Sequence, residues 1–251
     1  MTQTPPSQLL EHPAFRGISE ASAATLMSGC NVLRFELGGQ LCEANDISAR
    51  ILVILRGQAR LVGRQNGRLT TVGKFGPGSV IGAASLLCGS PCENVIAAEE
   101  VIACALSDQL WRELYSSEAS FRHWCDQQLW PQELFKLLEV LEQNTPETDS
   151  SALEKLGAAL QSAQRCSPDT AAVDAALAAG KLLYITSAWG DLSVGQPVRS
   201  SADLPVCEPF SLRLVALPAA NGTDAAGEIQ PEGAGSLVPA ASIQDAEILP
   251  P

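Results

Sequence analysis

Eight cysteines and two histidines are the side chains here with the widest chemical repertoire, and their spacing assembles no catalytic unit. Cys30, Cys42, Cys88, Cys92, Cys104, Cys125, Cys166 and Cys207 include no Cys-x-x-Cys pair, and several, such as Cys104 in VIACAL, sit inside apolar runs. Buried free thiols are therefore expected. His12 and His123 are too few for a histidine-built metal site, so no metal is expected. Cys125 follows His123 by two residues, which on a helix point about 200° apart, so they do not form a nucleophile and base. The chain has neither G-x-x-x-x-G-K-[ST] nor G-x-S-x-G, the loops that cradle nucleotide phosphates or present a nucleophilic serine. No enzymatic activity is expected.

Short apolar runs between Phe35 and Leu106 are separated by glycine-rich turns, the pattern of an all-β roll. ILVIL at Ile51 to Leu55 is the most strand-like. ENVIAA and VIACAL, broken at Glu99-Glu100, read as a final two-strand hairpin, the whole forming a meander that closes on itself. From Asp108 the apolar period lengthens to about 3.6, which predicts helices carrying Leu110, Leu114, Trp111, Tyr115, Phe121, Trp124, Cys125 and Leu129. Pro131 suits the first turn of another helix, whose stripe of Leu134, Leu138 and Leu141, widened by Phe135 and Leu137, requires a partner surface. NTPETDSS reads as a linker, followed by an Ala-rich α+β module. Within it LEKLGAALQSAQ is helical, Ser167-Pro168 opens a helix that Gly180 ends, and LLYITSA and SLRLVAL are strands. Beyond Pro218 the chain has no Lys, Arg or aromatic residue and reads as a disordered acidic tail.

The expected fold class is thus α+β, in three parts: residues 10–145 as a roll with terminal helices, 150–217 as the small α+β module, and 218–251 as tail. With 16 Lys+Arg against 28 Asp+Glu the net charge is −12, which repels nucleic acid. The N-terminal sequence has no basic stretch followed by an apolar one, and about 18 uncharged apolar residues nowhere run together. A cytoplasmic chain with no direct membrane insertion is the expectation.

The roll segment resembles the cyclic nucleotide-binding domain family of catabolite-activator-type regulators, kinase regulatory subunits and gated channels, a jelly-roll-like β-roll with flanking helices. HPAFRGISEASAATL resembles the family's opening helix, RFELGGQL its first strand, and ILVILRGQARLV its central strand pair bent at Gly57. KFGPGSVIGAASLLCGSPCENVIAAEEVIACAL resembles the stretch that holds its phosphate-binding cassette. The resemblance implies a cassette of the form F-G-E-L-A-L-L, a short loop, Arg, then a small or hydroxyl-bearing residue. In it a short helix faces the cyclic phosphate, the glutamate accepts from the ribose 2′-hydroxyl and the arginine neutralises the phosphate.

Ile81-Gly82 matches the first two cassette positions, and Leu86-Leu87 and Gly89-Ser90-Pro91 keep its register. Ala83, however, stands at the glutamate position and Cys92 at the arginine position, with Glu93 next, adding repulsion. Charge-assisted hydrogen bonds contribute about 1.5–3 kcal/mol each, so losing two weakens binding by roughly 3–6 kcal/mol, on the order of 100- to 10,000-fold. What remains is a weak anion nest of N–H groups at Gly82, Ala83 and Ala84, with the Ser85 and Ser90 hydroxyls nearby. No cofactor is expected, neither cAMP nor cGMP in the usual way. No basic helix-turn-helix follows the roll, so a transcription factor is not expected.

The order of parts also resembles the N-terminal region of bacterial peptidase-containing ABC exporters. The function expected is a non-enzymatic regulatory or docking module acting through protein contacts, with an exporter, another protein or a second copy of this chain. The alternative is a sensor in which a cyclic nucleotide or other anion shifts the terminal helices.

Overall fold

The computed structural model describes residues 5–65, 68–144, 152–204 and 212–219. In chain order these are α1 (Pro5–Leu10), a 3-10 turn (Pro13–Phe15), α2 (Glu20–Gly29), β1 (Asn31–Phe35), β2 (Gln40–Cys42), β3 (Arg50–Arg56), β4 (Ala59–Gln65), β5 (Arg68–Phe75), β6 (Val80–Ile81), α3 (Ala83–Cys88), β7 (Val95–Ala97) and β8 (Val101–Ser107). Helices α4 (Asp108–Ser117), α5 (Ala119–Gln127), α6 (Pro131–Asn144) and α7 (Ala152–Ser162) follow. The chain then forms β9 (Gln164–Cys166), α8 (Thr170–Ala178), β10 (Leu182–Ile185), β11 (Pro197–Val198), a second 3-10 turn (Ser201–Asp203) and β12 (Leu214–Leu217). Cys207 and most of the acidic tail lie outside the described residues. Among the described residues no helix is long and apolar enough to cross a membrane.

Two antiparallel four-stranded sheets, ordered β1-β8-β3-β6 and β2-β7-β4-β5, make the roll. Strands 3 and 8 bury both faces. Ile51, Val53, Cys104 and Leu106 pack under the helices, while Leu52, Ile54, Ala103 and Ala105 fill the space between the sheets. A strand covered on both sides needs no polar alternation, which is why ILVIL and VIACAL are unbroken apolar runs.

The expected terminal hairpin is corrected. Strand β7 pairs with β2 and β4, whereas β8 pairs with β1 and β3, so the chain changes sheet at Glu99-Glu100. The roll is a jelly roll, not a meander. The β3-to-β4 crossing at Gly57 changes sheet at the same corner: Gly57 has φ +86°, and a Cβ there would lie 2.0 Å from the Glu100 carbonyl oxygen. Only glycine lets the two crossings stack.

At the other end of the sandwich the change of period at Asp108 coincides with a helix start, where Ser107 Oγ accepts from the Leu110 N–H at 3.1 Å. Trp111, Phe121 and Phe15 pack together, with Trp111 and Phe121 centroids 4.8 Å apart and edge-on. Trp111, Tyr115 and Phe121 are thus core, Trp124 is half-buried against them, and Cys125 is buried while His123 is exposed. Helix α5 ends at Gln127, so Leu129 lies in the connection to α6 rather than on the α5 stripe. His12 accepts the Ala14 N–H through Nδ1, which leaves Nε2 to donate to the Gly78 carbonyl at 2.9 Å. Burial lowers its pKa, in keeping with a neutral structural imidazole.

The α6 stripe finds its partner in the second unit. Leu134, Phe135, Leu137 and Leu138 pack with Leu156 of α7 and Val215 of β12, and Val72 of the roll joins them. Gly63 of β4 permits this contact, because a Cβ there would meet the Phe135 ring at 2.6 Å and Val72 at 2.9 Å. Gly63→Ala is expected to lower stability by about 1–3 kcal/mol in urea unfolding by wedging α6 away from the sheet. A loss below about 0.5 kcal/mol would show that α6 is free to shift.

Beyond α7 an antiparallel sheet, ordered β11-β10-β12-β9, packs Leu183, Ile185 and Leu214 against Val173 of α8. Asp169 caps α8, accepting from the Ala172 N–H at 2.8 Å, two residues later than the expected Ser167-Pro168 start. Gly180, at φ +73°, ends it as expected.

Candidate functional site: a cassette helix capped by its own chain

Gly82 is the N-cap of α3 with φ +93°, and a Cβ would lie 2.7 Å from the Arg50 carbonyl oxygen. This glycine starts a six-residue helix whose side chains are all buried: Ala83, Ala84, Ser85, Leu86, Leu87 and Cys88. A helix start leaves N–H groups without partners inside the helix. Here two N–H groups at this end, those of Gly82 and Ser85, are taken by the chain itself.

The carboxylate of Glu93, itself 1 % exposed, sits on the helix start. The Gly82 N–H donates to Glu93 Oε2 at 2.8 Å and the Ser85 N–H donates to Oε1 at 3.0 Å. Gln132, in the first turn of α6, donates through Nε2 to Oε2 at 3.1 Å. Its own Oε1 has no partner among the described residues. Burial pushes the Glu93 carboxyl above the usual glutamate range, against the pull of the Gly82 and Ser85 N–H groups and Gln132. Glu93 therefore does more than repel an incoming anion, as its sequence position suggested. It occupies the helix start.

The structure brings Gly82, Ser85, Cys92 and Glu93 into one hydrogen-bonded cluster. Ser85 Oγ accepts the Cys92 N–H at 3.2 Å and lies 3.5 Å from Cys92 Sγ, so this hydroxyl is also committed. Ala83 and Ala84 contribute buried methyl groups, and Ser90 is tied back by its N–H to the Ser85 carbonyl at 3.2 Å. A hydrogen bond with Cys88 and burial push the Cys92 thiol up, and burial pushes Cys42 up to about 12 and raises Cys125. These thiols are protonated and poor nucleophiles. Among the described residues no group of three or more His, Cys, Asp or Glu could hold a metal ion.

The other end of α3 is held by the second unit, which sequence reading did not connect to the cassette. The Ala188 N–H donates to the Cys88 carbonyl at 2.7 Å, and the Trp189 indole N–H to the Leu87 carbonyl at 3.4 Å. Gly89 makes room, since a Cβ there would lie 2.5 Å from the Trp189 ring. Next to Gln132, Glu133 is fully buried and paired with Arg213 of the second unit, Oε2 to Nη2 at 2.8 Å and Oε1 to Nε at 3.1 Å. Arg165 Nη1 lies 3.8 Å from the same carboxylate, and Thr186 Oγ1 donates to it. Arg213 also caps the end of α5 by donating to the Gln128 carbonyl at 2.8 Å. The sequence signal was a lone arginine inside the apolar run SLRLVAL, a pattern that demands a buried acid.

Residues 32–118 match the family model for the cyclic nucleotide-binding domain. Over that segment the chain carries a domain of the cyclic nucleotide-binding family. No curated protein matches the chain. Among solved structures, the regulatory subunit of a cAMP-independent protein kinase A from Trypanosoma cruzi, bound to guanosine, is 18% identical with TM-score 0.40, covering 47% of this chain and 46% of that one. A cyclic nucleotide-binding domain from Methylobacillus flagellatus is 22% identical with TM-score 0.41, covering 57% and 79%. A cAMP-binding acyltransferase from Mycobacterium smegmatis is 19% identical with TM-score 0.39, covering 55% and 41%. The chain spans less than half the length of the kinase regulatory subunits it matches.

Proposed function

We propose that this chain is a non-enzymatic regulatory or docking module that keeps the cyclic nucleotide-binding fold, does not bind cyclic nucleotide in the usual way, and acts through protein contacts. One observation carries the reading: the Glu93 carboxylate is bonded to the Gly82 and Ser85 N–H groups at the start of the cassette helix. An incoming phosphate would have to displace a buried carboxylate from those donors and would find Cys92 where the family's arginine would stand. The lost charge complementarity and the occupied donors act in the same direction. The closed site fits a scaffold whose surfaces, rather than its pocket, make the contacts. The exporter suggested by the order of parts has no counterpart in the geometry.

The sensor reading has one observation on its side. Gln132 bonds Glu93 directly, so any ligand that displaced Glu93 would be felt at the start of α6. Thermal unfolding separates the two. With cAMP or cGMP at about a hundred times a micromolar Kd, a bound ligand adds about 2.7 kcal/mol and raises Tm. The expected result is an unchanged Tm with either nucleotide. A rise that is lost on removing the ligand would establish the sensor and overturn the docking module.

A further inference from the structure

Charge is unevenly distributed along this acidic chain. Residues 47–92 contain Arg50, Arg56, Arg60, Arg64, Arg68 and Lys74 and no Asp or Glu, so this stretch is net +6 while the rest is −18. The fold gathers part of that charge on one face. Arg60 of β4 and Lys74 of β5 are paired directly opposite, both exposed, on the side of the sheet away from the core. Arg64 follows on the same face of β4, and its cross-strand partner is Leu69, 61% exposed. Like charges placed directly opposite destabilise a strand pair. Among the described residues neither Arg60 nor Lys74 forms an ion pair. Protection of a sheet edge by charge accounts for Lys74 on the edge strand β5, but not for Arg60, because β4 is paired on both sides.

We infer that this face is the docking surface for the chain's own acidic segment, residues 220–251. That segment carries Asp224, Glu228, Glu232, Asp245 and Glu247 and no Lys or Arg. It starts beside the hairpin: Val215 and Leu217 of β12 pack in the same apolar cluster as Val72 of β5, and the last described residue is Ala219. Glu232 lies thirteen residues past Ala219, a reach of up to about 45 Å at full extension, so Asp224 to Glu232 can span the hairpin. Tethering makes the encounter intramolecular, at an effective concentration of order millimolar, which suits weak carboxylate contacts with Arg60 and Lys74. The pairing neutralises the like-charge pair and accounts for the segregation of charge along the chain.

Zero-length carbodiimide coupling of the unmodified full chain, mapped by mass spectrometry, tests this. Carbodiimide adds the carboxyl to form an O-acylurea, and the Lys74 amine displaces the urea, so an amide forms and the elements of one water leave the protein within the urea. The expected product is an amide between Lys74 and Asp224, Glu228 or Glu232 within one molecule, its yield falling at least about five-fold in roughly 1 M salt, where the screening length is about 3 Å. Arg60→Glu, an exposed substitution, is expected to lower the yield similarly and to speed glutamyl-endoprotease cleavage after Glu228 and Glu232. A Lys74 adduct formed only between molecules would assign the face to a second copy, and no adduct to the tail would remove the tail as its occupant. Either result overturns the inference.

Discussion

Glu93→Ala is expected to lower the unfolding free energy by about 3–5 kcal/mol, measured by urea denaturation, with Tm falling by about 2–4 °C per kcal/mol. The loss comes from what the side chain leaves behind. The Gly82 and Ser85 N–H groups and the Gln132 amide would remain buried without acceptors, and each orphaned donor costs about 1–3 kcal/mol. The charged form is penalised by burial, which offsets part of that sum and keeps the net below it. Glu93→Gln preserves shape and one acceptor, so a loss of about 1–2 kcal/mol is expected. A loss under about 1 kcal/mol for the alanine variant would show that water or a rearranged loop serves the helix start equally well.

The pH dependence has a definite sign. The folded-state pKa of Glu93 lies above its unfolded value, so this group adds stability as pH falls from above the folded pKa toward the ordinary glutamate value near 4.3. Glu93→Gln is expected to remove that rise.

Arg213→Ala is expected to cost a further class of interaction, about 3–5 kcal/mol, because it strands Glu133 as an unpaired buried charge. It also removes the donor to the Gln128 carbonyl at the end of α5. Burial alone would push the Glu133 carboxyl up, but Arg213 and Arg165 outweigh it and hold the group below the usual range. Stability from this group is therefore present at neutral pH and lost as pH falls through its depressed folded pKa, below the unfolded value of about 4.3. That is opposite in sign to Glu93. Replacing both members, as Glu133→Met with Arg213→Met, is expected to recover only part of the loss, since it removes the stranded carboxylate but leaves the buried Arg165 without its acid. A variant Arg213→Ala as stable as the parent would show that the second unit is not locked to α6. The Trp189 indole, seated on the Leu87 carbonyl, offers a fluorescence readout of whether the junction opens before the roll unfolds.

How the second unit is attached was the least legible part of the chain. The α6 stripe required a partner, but periodicity does not say which surface supplies it, because Leu134 and Leu138 would pack equally well on the roll or on another helix. Arg213 within SLRLVAL marked a buried charge, yet its acid lies 80 residues away in sequence. The sheet change at Glu99-Glu100 was hidden for a similar reason. Val95–Ala97 and Val101–Ser107 are two strands joined by a short turn in either topology, and only the packing of Gly57 against Glu100 distinguishes the corner from a hairpin.

At the cassette itself, residue types and spacing gave the expectation of which contacts are absent. The resemblance places an acid where Ala83 stands and an arginine where Cys92 stands, so the expectation of missing ribose and phosphate contacts follows from residue type at those positions. The glycine framework and the unbroken apolar strands likewise marked a roll, since turns and two-sided burial constrain local sequence. What meets the start of the α3 helix was decided only by the tertiary structure. Glu93 looked like a third deficit by position, and folding turns its carboxylate onto the Gly82 and Ser85 N–H groups, 8 to 11 residues earlier in the chain. A loop can fold back in many ways. The one adopted satisfies the buried Gly82 and Ser85 N–H groups.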